Sequence, residues 1–427
     1  MNYVIVGNGP AGTAAAEAIR EVDPQGKITI LADEAVGNYS KPLISYLLAK
    51  KVKKNQMAQR EEDFYFHNRV DLLSNRRVIK IDTKEKNVVL VDKRKVPFDR
   101  LLIATGGTPI SLSVPGDKSK GVYTFTQLQD AADVDKYLRE NEVQNAVVVG
   151  GGLIGLKTTE ALMDRGVAVT IVELADRILS ATFDRKASAM IEEALRKEGC
   201  RVFLKTTVAK IAADRKGRVK EVVLKDKTRI PCGMVVLAVG VVPNTALIKG
   251  TSIQQERGIV VDATLQTSIP GIYAAGDCCQ VQDFFGRGSR VVPIWPNAVR
   301  QGKVAGYNMA GRKKEYEGAL AMNSVELCGI PTISVGITDP PEGDGYEKIE
   351  LANEKKAIYK KLIIRDNIIV GALFVGDISR AGVYTGLIRE GVKVSDLREY
   401  LLKDNFGLIY LPKEYRKHFV TGEGMEV

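Results

Sequence analysis

The chain has only two histidines, His67 and His418, and a single tryptophan, Trp295. Its five cysteines (Cys200, Cys232, Cys278, Cys279 and Cys328) include no CxxC pair. Zinc sites draw on closely spaced Cys and His ligands, so this inventory argues against a bound metal and against a disulfide framework. No apolar run approaches the ~20 residues that span a bilayer, so membrane insertion is not expected. The opening "MNYVIVGNGPAG" lacks the basic flank and cleavage site of a secretion signal. It has the form of a strand entering a glycine turn, and a cytoplasmic protein is expected.

The net charge is +10, but the lysines alternate with glutamates instead of forming the stripe that a nucleic-acid surface needs. No nucleic-acid partner is expected. The one dense cluster, "KKVKK" at Lys50 to Lys54, reads as a solvated helix face, with a docking surface for an acidic protein as the alternative. With 45% hydrophobic and 27% charged residues in a chain of 427, the composition is that of a globular protein of about three domains.

What is present is a duplication. The first half opens "YVIVGNGPAGTAAAEAI" and the second "AVVVGGGLIGLKTTEAL", each an apolar strand, a glycine turn and a helix. Each half then shows a second strand, "KITILADE" and "VAVTIVE", followed by a two-stranded alternating pattern, "VIKIDTKEKNVVLVD" and "VAKIAADRKGRVKEVVLKD". Each closes on a buried strand running into glycine, "RLLIATGGTP" and "VVLAVGVVPN". A repeated nucleotide-binding unit accounts for this order.

The glycine spacing carries a specific chemistry. Gly7 permits the tight turn, Gly9 lets the backbone approach a pyrophosphate, and Gly12 allows helix and strand to pack closely. The helix N-terminus then offers free N–H groups and a positive dipole end to the anion. Gly150, Gly152 and Gly155 repeat these roles. One GxGxxG is a weak signal; two, each between strand and helix and each followed by an acid about 20 residues on, are a strong one. The acids are Asp33 or Glu34 in the first half, which stay open, and Glu173 in the second. Each is read as an acceptor for ribose hydroxyls.

With "TSIPGIYAAGDCCQ" and "IATGGTP" added, nearly the whole chain resembles the FAD- and NAD(P)-dependent pyridine nucleotide oxidoreductases. Rubredoxin and ferredoxin reductases and the flavin region of assimilatory nitrite reductase share its "ADE…Y-S-K-P-L" and "AGD-C" style segments. The resemblance implies an α/β fold with two Rossmann-like, glutathione-reductase-type domains and an α+β C-terminal domain. FAD would bind a discontinuous domain of residues 1–112 and 246–322, NAD the domain 113–245, and 323–427 would form an interface domain with a basic tail. It implies that Asp277 bonds the ribityl chain of FAD, that Thr105 and Gly106 lie against the cofactor, and that Trp295 sits near the isoalloxazine. The alternative for Trp295 is a plain core aromatic. Pro10, Ala11, Pro42, Val78 and Gly276 on the FAD side, and Leu153, Ile154 and Gly240 on the NAD side, complete the candidate set.

Departures from the family matter as much. Disulfide reductases of this fold carry a cysteine pair after the first fingerprint, and coenzyme A disulfide reductases carry one cysteine; here "VGNYSKPLISYLL" offers Ser40, Lys41 and Pro42. A hydroxyl cannot replace a redox thiolate. Cys278 and Cys279 are read as structural, since adjacent cysteines bridge only with strain. Lys41 stands where relatives carry arginine, so it would stabilise pyrophosphate or reduced flavin, or else be a surface lysine. Lys157 stands where many relatives place a glutamate near the nicotinamide. The function expected is electron transfer from NADH through FAD to an iron–sulfur or rubredoxin-type protein, without a thiol. The alternatives are the flavin subunit of a larger iron–sulfur complex and a flavin-dependent interaction protein resembling apoptosis-inducing factor. A homodimer or a complex subunit is expected.

Overall fold

The computed structural model describes residues 1–61 and 63–411. The chain divides into two compact units, Met1–Leu174 with Thr206–Leu320, and Ala175–Lys205 with the chain from Ala321 onward.

Unit 1 holds the duplication. Strands β1 (Asn2–Val6), β2 (Lys27–Leu31), β3 (Val70–Leu73) and β4 (Arg100–Ile103) join the later strand Ile272–Ala274 in a five-stranded sheet. Its pairings are parallel throughout, with β1 between β2 and β4. Parallel strands are covered on both faces, which is why these segments read as unbroken apolar runs and not as alternations. In the second half β5 (Val122–Thr124), β6 (Asn145–Val149), β7 (Ala168–Val172) and β8 (Met234–Leu237) pair in parallel, with β6 between β7 and β8 and β5 beside β8. The alternating stretches form small antiparallel sheets as expected, one built on Val78–Asp82 and Asn87–Leu90 and the other on Val208–Ala213 and Val219–Leu224. Gly107–Pro109 and Val241–Pro243 pair as an antiparallel ribbon joining the halves.

Helices of unit 1 that matter for the site include α1 (Pro10–Val22), α2 (Ile44–Leu48) and α3 (Leu128–Glu140). The second fingerprint starts α4 (Leu153–Met163). "KKVKK" is not simply solvated: Lys50 pairs with Asp135 of α3 at 2.8 Å and Lys51 with Asp164 at 2.7 Å. These lysines clasp the first half to the second.

Unit 2 begins with α5 (Arg185–Lys197), capped by the Asp184 carboxylate, which accepts from the Ala187 N–H at 2.9 Å. The rest is an antiparallel sheet of β9 (Met322–Leu327), β10 (Ile330–Gly336), β11 (Glu347–Asn353), β12 (Ile358–Arg365) and β13 (Ile368–Val375), ordered β9-β10-β13-β12-β11. The β12–β13 hairpin turns at Asp366 and Asn367, as the sequence predicts, both with positive φ (53° and 63°). That is the type I′ geometry whose twist matches the flanking strands. Of the helices expected after it, one α-helix forms among the described residues, Ala381–Arg389; Gly391 at φ +58° follows its end, and Ser395–Leu397 is a single tight turn. The expected basic tail, "GLIYLPKEYRKHFV", begins with a short 3-10 turn at Leu408–Tyr410; its basic residues and His418 lie outside the described residues, beyond Leu411. Among the described residues no helix is long and apolar enough to cross a membrane.

Candidate functional site

The two glycine turns have one geometry. Gly7 sits at φ +119°, and a Cβ there would lie 2.1 Å from the Ala104 carbonyl oxygen; Gly150 sits at +112°, 2.3 Å from that of Ala238. A Cβ on Gly12 would lie 2.0 Å from Gly7 O, and one on Gly155 would lie 2.0 Å from Gly150 O. These four are glycine because backbone occupies the side-chain space. Gly9 and Gly152 differ: a Cβ on either would meet nothing within 4 Å. Each is the N-cap of its helix, extended and without a side-chain cap. An open backbone position before an uncapped helix start is an anion seat, with amides and dipole aimed outward. Pro10 and Ala11 begin α1, and proline suits the first helical position because it has no N–H to leave unpaired. Leu153 and Ile154 begin α4 in the same way.

Beside the first turn, the Asn38 amide donates to Asn8 O at 2.7 Å, and the Tyr65 hydroxyl donates to Asn8 Oδ1 at 2.9 Å. Asn8 Nδ2 and Asn38 Oδ1 are buried without a hydrogen-bond partner among the described residues. Buried polar atoms are normally satisfied, so this pair fits a turn built to receive a polar group.

The acids are arranged differently in the two halves. Gly150 N–H donates to Val172 O and Gly7 N–H to Leu31 O, so the position equivalent to Glu173 is Ala32. Glu173 Oε2 accepts the Gly151 N–H at 2.5 Å, inside the glycine turn. Asp33 is exposed and lies 3.7 Å from Arg77. Glu34 accepts the Tyr39 hydroxyl at 2.7 Å, and its other oxygen is 3.9 Å from Lys41. The Tyr39 oxygen in turn accepts the Leu128 N–H at 3.0 Å, a link between α3 and the first half.

Of the other candidates, Gly276 lies against the same turn, while Val78 and Gly240 are held in other segments. A Cβ on Gly276 (φ +83°) would lie 3.3 Å from Ala11 Cβ, and its N–H donates to Gln301 at 2.7 Å. Burial pushes the adjacent Asp277 carboxyl up, opposed by the nearby charge of Lys41. Trp295 is half-buried and opens α6 (Trp295–Met309). Thr105 donates to Asn244 O at 2.7 Å, and the Asn244 N–H donates to Gly106 O at 2.8 Å. Pro42 is exposed in the turn before α2, Val78 is buried in its small sheet, and Gly240 accepts from the Ile110 N–H at 3.0 Å.

Lys157, on α4, pairs with Glu160 at 2.5 Å and lies 4.7 Å from the ring centre of Tyr46 on α2. Burial pushes its ammonium down, but the Glu160 carboxylate and Tyr46 outweigh it and its pKa is raised. Tyr46, Tyr39 and Asn38 were missed as site residues. They lie within "VGNYSKPLISYLL", where sequence reading singles out only Ser40, Lys41 and Pro42; no local spacing announces their partners. Cys278 and Cys279 are 0% and 2% exposed. Their thiols face Ile103 O at 3.3 Å and Gln301 Oε1 at 3.4 Å, and burial pushes both up.

Two repeated strand–glycine turn–helix modules, both open at the middle glycine, define a protein that holds two dinucleotides. Residues 1–302 match the family model of the pyridine nucleotide-disulphide oxidoreductases, and residues 322–392 match that of the rubredoxin NAD+ reductase C-terminal domain. The chain belongs to the pyridine nucleotide-disulphide oxidoreductase family, and the cofactors that membership implies are FAD and NAD(H). It is 34% identical over 397 residues to a nitrite reductase [NAD(P)H] of Bacillus subtilis, covering 92% of this chain but 48% of that protein. It is 31% identical over 400 residues to the NADH-dependent phenylglyoxylate dehydrogenase subunit epsilon of Aromatoleum evansii, covering 93% of each. Its fold matches the NAD-dependent persulfide reductase of A. fulgidus with a TM-score of 0.86 at 27% identity, over 96% of this chain and 80% of that one.

Proposed function

We propose that the protein takes electrons from NADH onto FAD and passes them singly to an iron–sulfur or rubredoxin-type protein, with no thiol of its own in the path. FAD is assigned to residues 1–112 and 246–322, NAD(H) to 113–245, and interface contacts to 323–427. The observation that carries the reading is the pair of open glycine turns in one unit, combined with the burial of the Cys278 and Cys279 thiols. The match to a rubredoxin NAD+ reductase C-terminal domain supports the acceptor class.

When bound, FAD supplies the conversion of a two-electron hydride donor into single-electron deliveries. The chain's own part is positional. Gly9 and the α1 amides seat one pyrophosphate; Gly152 and the α4 amides seat the other. Lys41 lends positive charge beside Asp277, and Trp295 and Thr105 border the flavin. Lys157, on the second module and in contact with Tyr46 from the first, positions the nicotinamide. Glu173 receives ribose hydroxyls and repels a 2′-phosphate, giving NADH an advantage on the order of ten- to a hundredfold.

The test is anaerobic stopped-flow. NADH should bleach the flavin, and rubredoxin or ferredoxin should restore its colour. A flavin that NADH does not bleach favours an interaction protein; one that only a persulfide or disulfide reoxidises overturns the acceptor. Comparable kcat/KM for NADH and NADPH sinks the Glu173 assignment.

A second reading, a flavin subunit of a larger iron–sulfur complex, is favoured by the similarity to subunit epsilon across nearly all of both chains. A homodimer is the alternative assembly, and a cytoplasmic location belongs to either reading.

A further inference from the structure

The run "KKVKK" has no part in the function proposed above. Two of its lysines join Asp135, Asp164 and Arg165 in a polar clasp between the two nucleotide-binding halves, all within unit 1. The clasp is built on α2. This helix follows the tight turn Lys41–Leu43, so it is continuous with the lysine whose charge acts on Asp277. Just past α2, Lys50 pairs with Asp135 of α3, and Lys51 with Asp164 at the end of α4.

Arg165 ties the three helices together. Its Nη1 lies 2.7 Å from Asp135 Oδ1 and donates to the carbonyl oxygen of Leu48, the last residue of α2, at 3.0 Å. Arg139, one turn further along α3, brings a third cation to Asp135 at 3.3 Å. Burial pushes the Asp135 carboxyl up, but the bonds from Lys50 and Arg165 outweigh it and hold it below its ordinary range. The Arg165 and Asp135 side chains are 19% and 17% exposed, so salt screens this pair less than a surface one. Removing one partner would strand a charge in a largely buried place, and that keeps the cluster closed.

The place of Arg165 in the chain gives the clasp its consequence. It stands in the turn between α4 (Leu153–Met163) and β7 (Ala168–Val172). Gly152 and the first amides of α4 are one anion seat, and Glu173, directly after β7, bonds the Gly151 N–H. Both parts of the second seat therefore run out from the turn that Arg165 pins. A helix carries a fixed end forward as a rod, about 16 Å over eleven residues. Holding this turn against α2 thus sets where the seat stands relative to the first half. Lys157, over the Tyr46 ring, gives the same rod a second point of contact with α2 and fixes its rotation.

We propose that Arg165, held by Asp135 and Leu48, is a positioning residue for hydride transfer: it aligns the NAD(H) seat with the FAD seat. The proposal deepens the NADH-to-FAD reading given above and rests on it. In the step concerned, the C–H bond of the dihydronicotinamide breaks, the hydride joins the flavin ring with both electrons, and NAD+ leaves. Arg165 lies at the far end of α4 from the seat and acts only through that helix and β7.

The test uses the FAD-loaded full chain in anaerobic stopped flow. Arg165→Ala should lower the limiting rate of flavin bleaching at saturating NADH by about tenfold or more, since a misplacement of about 1 Å caused far from the chemistry can cost on the order of a hundredfold. The seat shifts as a body, so half-saturating NADH, NAD+ affinity by calorimetry and flavin per chain should stay within about twofold. The long-wavelength absorbance of NAD+ stacked on reduced flavin should weaken, a signature of ring overlap that lost stability alone does not move. Arg165→Lys, whose ammonium can meet both Leu48 O and Asp135, should restore the rate to within about threefold. If Arg165→Ala does not fold, Asp135→Asn keeps the shape of the acceptor, removes its charge and should slow bleaching in the same way. A parental limiting rate in the variant that folds overturns the proposal. So does an equal loss of NAD+ affinity, or a lysine variant as slow as the alanine one. A parent that NADH does not bleach overturns the NADH reading instead.

Discussion

The two nucleotide-binding halves share a backbone plan and differ in enclosure. In the first, α1 lies under α6 so closely that a Cβ on Gly302 would sit 2.2 Å from Ala11 O and one on Gly306 would sit 2.5 Å from Ala15 O. The alanines of α1 are the consequence, since only small side chains allow backbones that close. Ala11, the second residue of the helix, is 4% exposed, and Asn38 folds across the turn to reach Asn8. In the second half Gly152 is exposed and Ile154, the second residue of α4, is 36% exposed. Nothing comparable to Asn38 is bonded to that turn among the described residues; its polar closure is the Glu173 carboxylate on Gly151. One fold thus yields an enclosed seat suited to a resident cofactor and an open seat suited to a nucleotide that comes and goes.

The strongest way to break this comparison is to block each turn in the same manner. Gly12→Val and Gly155→Val both force side-chain atoms into a backbone carbonyl, and overpacking of that kind costs about 3 kcal/mol or more. Gly12→Val should yield protein with at least about tenfold less flavin per chain, read from the ratio of visible to ultraviolet absorbance. Gly155→Val should keep its flavin yet be bleached by NADH on the order of a hundredfold more slowly, roughly 2.7 kcal/mol of barrier. Equal flavin loss in both variants would mean that the halves are not functionally distinct.

A smaller effect is expected where the halves meet. Lys157→Ala should change the rate of flavin reduction by NADH by about tenfold while the flavin spectrum persists, since a half-buried cation over a ring contributes about 1–2 kcal/mol. Tyr46→Leu keeps bulk and removes the ring's quadrupole, so it should move the same rate in the same direction and by less. Reduction kinetics that both variants leave at the parental value would make Lys157 a structural lysine only.

These contrasts also show which features the sequence reveals. The fingerprints, the parallel strands and the Asp366–Asn367 turn follow from local rules: glycine where backbone crowds, apolar runs where both faces are covered, positive φ in a tight hairpin. The displacement of the first-half acids past Ala32 is not local, because a one-residue shift at a strand end depends on which neighbour accepts the carboxylate. Lys50 with Asp135, Lys157 with Tyr46, and Arg165 with Leu48 are likewise choices of distant partner. Charge spacing along the chain carries no information about them, so "KKVKK" reads as solvated although two of its lysines are engaged.

The smallest expected effect concerns the cysteines, and it separates the enclosed half from a thiol enzyme. Cys278 and Cys279 lie beside Asp277, with the Cys278 thiol on Ile103 O of the first parallel sheet. Thiolates are the reactive form, and burial keeps both thiols protonated, Cys279 well above its ordinary range. Cys232, in the second half, is pushed up to about 12 by the same cause. Replacing all five cysteines with alanine or serine should therefore cost stability through small cavities, on the order of 1 kcal/mol each where buried, without touching the electron path. After folding and FAD content are verified, NADH-dependent reduction of an artificial one-electron acceptor should stay within about threefold of the parent, roughly 0.7 kcal/mol in barrier terms. Peroxide formation does not discriminate, because oxygen takes electrons from reduced flavin in either case. A fall of two orders of magnitude with flavin still bound and still bleached by NADH would place Cys278 or Cys279 in the path, and single reversions at those two positions would show which one carries the electrons.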